Sequence, residues 1–192
     1  MDDLKFYTEF GFTHVLDWNA YDHVLFFIVL TIFYSFKDWK KALGLITFFT
    51  IGHTLTLLLS AYNFIYVKQG IVEFLIPLTI FVTAIYNIVF VKKSFINLNT
   101  SFIFAFFFGL IHGLGFSSSI RILIDDTEDK LLPILEFAMG IEIAQIIVVL
   151  FIFLFNFIIL NIFKRKKRDW VIIISSIIIG IVIPMLIERK FW

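Results

Sequence analysis

The chain has 192 residues, of which 60% are hydrophobic and 16% are charged, and its formal net charge is +1. A soluble domain is about half apolar and about a quarter charged, so this composition excludes an ordinary soluble protein and indicates an integral membrane protein. The chain has no cysteine, which excludes disulfides and thiolate metal sites.

The chain begins with a segment that differs from the apolar runs after it. Residues 2–16 predict a short amphipathic segment that lies at the membrane surface. The first ten residues, MDDLKFYTEF, are acidic and have no basic region ahead of an apolar core, so we expect no cleaved signal peptide.

Long apolar runs occupy the rest of the chain. About 20 residues of helix cross a hydrocarbon core of about 30 Å, and runs of this kind predict about six transmembrane helices. The predicted spans are residues 20–36, 42–62, 71–91, 101–121, 133–162 and 170–187. The connections are too short to hold a soluble domain. We therefore predict an all-α, polytopic membrane helix bundle in which residues 1–192 form a single transmembrane domain.

The distribution of basic residues predicts the orientation of the bundle, because short basic loops stay on the cytoplasmic side. Residues 37–41 (KDWKK) contain three basic residues, and residues 164–168 (KRKKR) contain five. Both loops lie on the same side of the six spans. We therefore expect both termini to be extracytoplasmic.

Ionisable side chains recur in the half of the bundle that is expected to face outward. The candidate metal ligands are His14, Asp22, His23, His53, His112 and Glu142. Each would cost about 2.5 kcal/mol or more if it faced lipid in a span, so we expect these groups to face one another or a wet cavity. The sequence thus predicts one polar site to which several helices contribute.

Other residues on the same helix faces or at the same depth are candidates for a supporting role. They are Thr56, Glu73, Gly109, Gly113 and Gln145. Small residues let transmembrane helices approach closely, so Gly109 and Gly113 would bring His112 against a neighbouring helix, although plain packing also explains them. Glu73 also has a second interpretation, as the start of a helix that is kinked at Pro77.

The candidate ligands offer imidazole nitrogen and carboxylate oxygen and no sulfur. Such a set suits divalent Zn, Ni, Co, Mn or Fe better than Cu(I), which prefers sulfur. Asp22 and His23 are adjacent and point about 100° apart on a helix, so one can be a ligand while the other orients an imidazole. The alternative is that the histidines are hydrogen-bonding groups that hold neighbouring helices in register.

Four stretches together resemble the HupE/UreJ family of bacterial membrane proteins, which are usually described as nickel or cobalt permeases. They are GFTHVLDWNAYDHVLFF (11–27), TFFTIGHTLTLLLS (47–60), FGLIHGLGFSS (108–118) and AMGIEIAQ (138–145). The family's pattern of a histidine followed by an Asp-His pair corresponds to His14, Asp22 and His23. This chain departs from the compact form of the pattern, since Val15 follows the first histidine and the spacing to Asp22 is longer.

The resemblance implies a divalent metal permease or uptake protein of the bacterial inner membrane, with Ni or Co as the ion, and the ligand chemistry adds Zn as a candidate. Two alternatives stay open, a membrane-embedded metal-dependent hydrolase and a non-catalytic structural membrane component. We expect the lipid bilayer and a metal ion as partners and no nucleic acid, while a membrane partner protein or a homo-oligomer is left open.

Overall fold

The computed structural model of the protein describes residues 2–17, 21–91, 98–124 and 129–192. Its described part forms seven α-helices and contains no strand, which confirms the predicted helix bundle. The helices are α1 (Asp2–Val15), α2 (Asp22–Thr31), α3 (Trp39–Ala61), α4 (Gln69–Phe90), α5 (Leu98–Leu123), α6 (Leu131–Phe157) and α7 (Lys167–Glu188). A 3-10 turn at Phe36–Asp38 precedes α3, and a π-helical turn at Ile158–Ile162 extends α6.

Five helices, α3 to α7, are long and apolar enough to cross a membrane. They match the last five predicted spans to within a few residues at most ends, because each apolar run is bounded by polar or charged residues. The exceptionally long predicted span 133–162 corresponds to α6 together with its π-helical turn. The chain is therefore a multi-pass membrane protein.

The first predicted span, 20–36, is shorter in the structure. Its helix α2 has ten residues, which corresponds to about 15 Å or half of a hydrocarbon core. Residue 20 itself lies outside the described residues. Beyond Thr31 the chain continues without regular α-helix until the 3-10 turn that leads into α3.

Two asparagines bind the backbone where α2 ends. The side-chain amide of Asn87 on α4 donates to the carbonyl of Val29 at 2.7 Å. The amide of Asn156 on α6 donates to the carbonyls of Ile32 at 3.1 Å and Tyr34 at 2.9 Å. Unpaired carbonyls are costly where water is scarce, so these asparagines allow a helix to stop inside the bundle.

Successive long helices run in opposite directions between two ends of the bundle. We call the end that holds residues 37–41 and 164–168 the basic end, and the other the opposite end. At the opposite end the Lys130 ammonium donates to the carbonyl of Ala61 at 3.4 Å, and the Gln69 amide donates to the carbonyl of Gly115 at 3.2 Å. These bonds join the ends of α3 and α5 to the starts of α6 and α4.

Glycines bring α1 against α6. A Cβ at Gly11 would collide with the backbone carbonyl of Phe137, and one at Gly140 would collide with the carbonyl of Thr8. The two backbones are thus in direct contact. The helix formed by the predicted segment 2–16 is fixed in this way along the first half of α6, and it carries His14 near its end.

Glycines also bring the backbones of α3 and α5 into contact. A Cβ at Gly109 would meet the backbone of Phe49, and one at Gly113 would meet the backbone of His53. Gly52 of α3 abuts the backbone of α5 in turn. This contact sets the distance between the helices that carry His53 and His112.

Candidate metal centre

Three histidines from three helices meet toward the opposite end of the bundle. They are His14 near the end of α1, His23 in the first turn of α2 and His53 in α3. One candidate ligand nitrogen from each lies within 4.8 Å of the other two. His23 and His53 are buried, and His14 is partly buried.

The Nε2 atoms of these three rings are buried without hydrogen bonds. Nδ1 of His53 also has no hydrogen-bond partner. A buried polar atom left unpaired costs about 1–3 kcal/mol. Histidines that served as interhelical hydrogen-bonding groups would be paired with a neighbouring helix, and these are not. Their lone pairs are free to bind an ion.

The spacing of the three nitrogens is close to that of a metal site. Imidazole nitrogens bind Zn²⁺ at about 2.0–2.1 Å, so two ligands of a tetrahedral ion lie about 3.4 Å apart. The candidate nitrogens of the three histidines lie within 4.8 Å of one another, which is a wider spacing. Side-chain rotations that move each nitrogen by about 1 Å would bring all three onto one ion.

His112 of α5 lies beside this group. Its ring centroid is 5.4 Å from that of His23. Its Nδ1 lies 2.8 Å from the carbonyl of Phe108, which accepts the Nδ1 proton. This bond leaves a lone pair on Nε2, which is buried and has no partner, so His112 is positioned as a fourth candidate ligand.

Asp22 contacts His23 and Arg189 together. Its Oδ1 accepts from the His23 backbone N–H at 3.0 Å and lies 3.3 Å from the His23 ring Nδ1. Its Oδ2 lies 3.3 Å from a guanidinium nitrogen of Arg189, just after α7. A carboxylate beside a ligating imidazole fixes the ring's orientation and raises its basicity. Asp22 is placed for this positioning role.

Aromatic rings close the histidine cluster on both sides. Toward the opposite end, Phe116 and Phe137 stack at 5.2 Å, and the Phe116 ring lies 4.1 Å from that of His14. Toward the basic end, Phe26 and Phe49 pack 5.2 Å and 5.1 Å from the His112 ring. We call these pairs the outer and inner aromatic layers. Their rings pack against the imidazoles, of which His23, His53 and His112 are buried and His14 is partly buried.

Glu142, also predicted as a ligand, lies outside the three-histidine group. Its Oε1 accepts from the Thr47 hydroxyl at 2.5 Å. Gln145, one turn further along α6, accepts from the Thr50 hydroxyl at 3.0 Å. Both polar side chains of α6 thus bind threonines of α3 that precede His53 in the chain.

The other predicted supporting residues have different surroundings. Gly109 and Gly113 lie at the contact between α3 and α5. The Thr56 hydroxyl donates to the carbonyl of Gly52 in its own helix. Glu73 is exposed near the start of α4. Arg189, which contacts Asp22, was not predicted as a site residue, although an arginine at the end of an apolar span was the available signal.

The chain matches the family model described as HupE / UreJ protein over residues 1–189. It belongs to the HupE/UreJ family. The match covers almost the whole chain, which confirms the resemblance that the four sequence stretches indicate. No curated protein and no solved structure was found to match it.

In this HupE/UreJ protein, Arg189→Ala should weaken metal binding about tenfold, because Asp22 would lose the partner that holds it beside His23. Arg189→Lys should recover part of the loss by restoring the charge. Titration of the purified protein with Co²⁺, followed by its visible absorption, measures both the affinity and the ligand geometry. The exposed neighbour Lys190 supplies the control Lys190→Ala. Equal affinities for Arg189→Ala and Lys190→Ala would contradict the role given to Arg189.

Proposed function

We propose that the protein is a permease for a divalent transition-metal ion, with nickel or cobalt as the first candidates and zinc as the next. The ion binds to His14, His23 and His53, with His112 as a further ligand. The observation that carries the proposal is the convergence of three imidazoles from separate helices with candidate nitrogens within 4.8 Å of one another. The Nε2 atom of each of the three lacks a hydrogen bond, which leaves it available to a cation.

The ligand chemistry supports these ions. Neutral imidazole suits Ni, Co and Zn, and the cluster has no sulfur that would favour Cu(I). Members of the HupE/UreJ family are usually described as nickel or cobalt permeases. The proposed ligands are all nitrogens, because the nearby Asp22 carboxylate is paired with Arg189 and orients His23.

The proposed orientation places the basic end in the cytoplasm of a bacterial inner membrane, with both termini outside. The histidines then lie nearer the extracytoplasmic surface. His53 is eight residues, or about 12 Å, from the end of α3. An ion would enter past the outer aromatic layer and leave past the inner one, and alternate opening of these layers would give alternating access.

Reconstitution into proteoliposomes tests the proposal. Vesicles that contain the purified protein and a metal-sensitive dye inside should show Ni²⁺ or Co²⁺ influx well above that of protein-free vesicles. His23→Ala vesicles should show no more influx than protein-free ones. Metal analysis of the same protein batch should give at least one bound ion per chain.

Two results would overturn the proposal. The first is a protein that binds stoichiometric metal without influx and hydrolyses a lipid or peptide substrate, while the His53→Ala variant does not. This result would favour a membrane metallohydrolase. A protein that binds no metal, and whose histidine variants remain folded and active in cells, would be a structural component.

A further inference from the structure

A second polar cluster lies between α3 and α6. It consists of the Glu142 carboxylate bound to Thr47 and of Gln145 bound to Thr50, as described above. Thr54, one turn after Thr50, contributes a third hydroxyl on the same side of α3. The cluster thus presents a carboxylate, an amide and three hydroxyls from two helices.

Several atoms of the cluster are buried and unpaired. Oε2 of Glu142, the Thr54 hydroxyl and the Gln145 amide nitrogen have no hydrogen-bond partner. Gln145 is fully buried and Thr54 is 9% exposed. Packing alone does not explain a buried carboxylate oxygen without a donor, since such an atom is costly inside a membrane.

The carboxylate also lacks a compensating charge from the protein. Among the described residues, the ion pairs join Asp22 and Asp38 to basic groups, and none includes Glu142. An ionised side chain within a span needs a partner of opposite charge. A bound cation would supply both this charge and a contact for Oε2.

Space for a ligand adjoins the cluster. Thr47, Thr50, Thr54 and Glu142 line a cavity of about 650 Å³ between α3 and α6. Its threonines at positions 50 and 54 are buried, whereas the apolar residues of its rim, such as Ile51 and Leu135, are exposed on the surface of the bundle. The cavity is an open groove whose surface is mostly apolar, and the polar groups of the cluster lie beneath that surface.

Most of the cluster lies nearer the basic end of the bundle than the histidines do. Thr50 and Thr47 precede His53 by three and six residues, which corresponds to about 4.5 Å and 9 Å along α3 toward the basic end. Thr47 and Thr50, with the Glu142 and Gln145 side chains bound to them, therefore lie beyond His53 on the side where a permeating ion would leave. Its oxygen ligands bind a divalent transition metal more weakly than imidazole does, as a site of release requires.

We propose that Glu142, Gln145 and the α3 threonines form a second cation site that receives the divalent metal ion from the histidine site. The inference rests on the proposed function, since it assigns the next position on the route of the same ion. Glu142 is then the group that draws the ion past the inner aromatic layer.

The test compares Glu142→Gln with wild type in the full-length purified protein. Wild type should bind two equivalents of Co²⁺, one tightly with the visible spectrum of nitrogen ligation and one more weakly. Glu142→Gln should keep the tight ion and its spectrum, lose the weak one, and lower Co²⁺ influx into proteoliposomes at least tenfold. Thr47→Val, which keeps the carboxylate, should weaken the second equivalent without loss of the first.

Glu9→Gln is the matched control, because it makes the same charge change at an exposed position on α1. It should leave both equivalents and the influx as in wild type. The inference is overturned if Glu142→Gln disturbs the tight ion and its spectrum, because Glu142 would then belong to the histidine site. It is also overturned if wild type binds one equivalent, or if Glu142→Gln transports normally. Failure of the proposed function looks different, since wild type would then show no tight ion or no influx.

Discussion

His53→Leu should abolish tight metal binding, with at least about a 100-fold loss of affinity, and should leave the metal-free protein as stable as wild type or more stable. The loss follows from the removal of one of three imidazoles that share the site. Losing a mere orienting partner of a metal ligand already costs 10- to 100-fold, and a ligand should cost more. The stability follows from the replacement of two buried, unpaired nitrogens by an apolar side chain of similar size.

Thermal unfolding with and without Ni²⁺ measures both parts of this prediction. Wild type should be stabilised by about 2.7 kcal/mol when the free metal concentration is 100 times the dissociation constant, and His53→Leu should gain nothing. If His53 only held helices together, its replacement would instead lower the unfolding temperature without metal. Such a result would contradict the metal site.

Gly113→Ala should destabilise the protein by about 1–3 kcal/mol and weaken metal binding as well. The added Cβ would lie 3.1 Å from the Cα and the carbonyl carbon of His53 and closer still to its oxygen, so α3 and α5 must move apart. Since α3 carries His53 and α5 carries His112, the displacement would widen the site. Unfolding in detergent and Co²⁺ titration measure the two effects.

The control for this substitution is Gly180→Ala on α7, where a Cβ would meet nothing within 4 Å. Alanine favours helix over glycine by about 0.8–1 kcal/mol, so this variant should be equal to or more stable than wild type. If Gly113→Ala were as stable as Gly180→Ala and bound metal equally, the close α3–α5 contact would not be required.

The long helices could be predicted from the sequence because each is a continuous apolar run with polar ends. The early end of α2 could not be predicted, because the carbonyls at and just after that end are bound by Asn87 and Asn156, which lie far along the chain. No local signal at residues 32–35 marks that termination. The helical type of the bundle thus follows from local composition, and the length of α2 follows from tertiary contacts.

The approach of His53 and His112 could be predicted because both occur at a similar depth in an otherwise apolar span. The partners of Glu142 could not be predicted from depth alone. Depth places its carboxylate near the level of His53, but the face of α6 on which it lies directs it to Thr47. The contact between Arg189 and Asp22 could not be predicted from the sequence either, because the two residues are 167 positions apart in the chain.

The two aromatic layers have a kinetic consequence. In the proposed permease, an ion bound to the histidines would exchange with either solution through movement of rings such as Phe116 and Phe137, or Phe26 and Phe49. The dwell time of the ion would then be set by the rate of ring and helix motion, and the imidazoles would set how strongly it is held. On this proposal, affinity and transport rate would change independently.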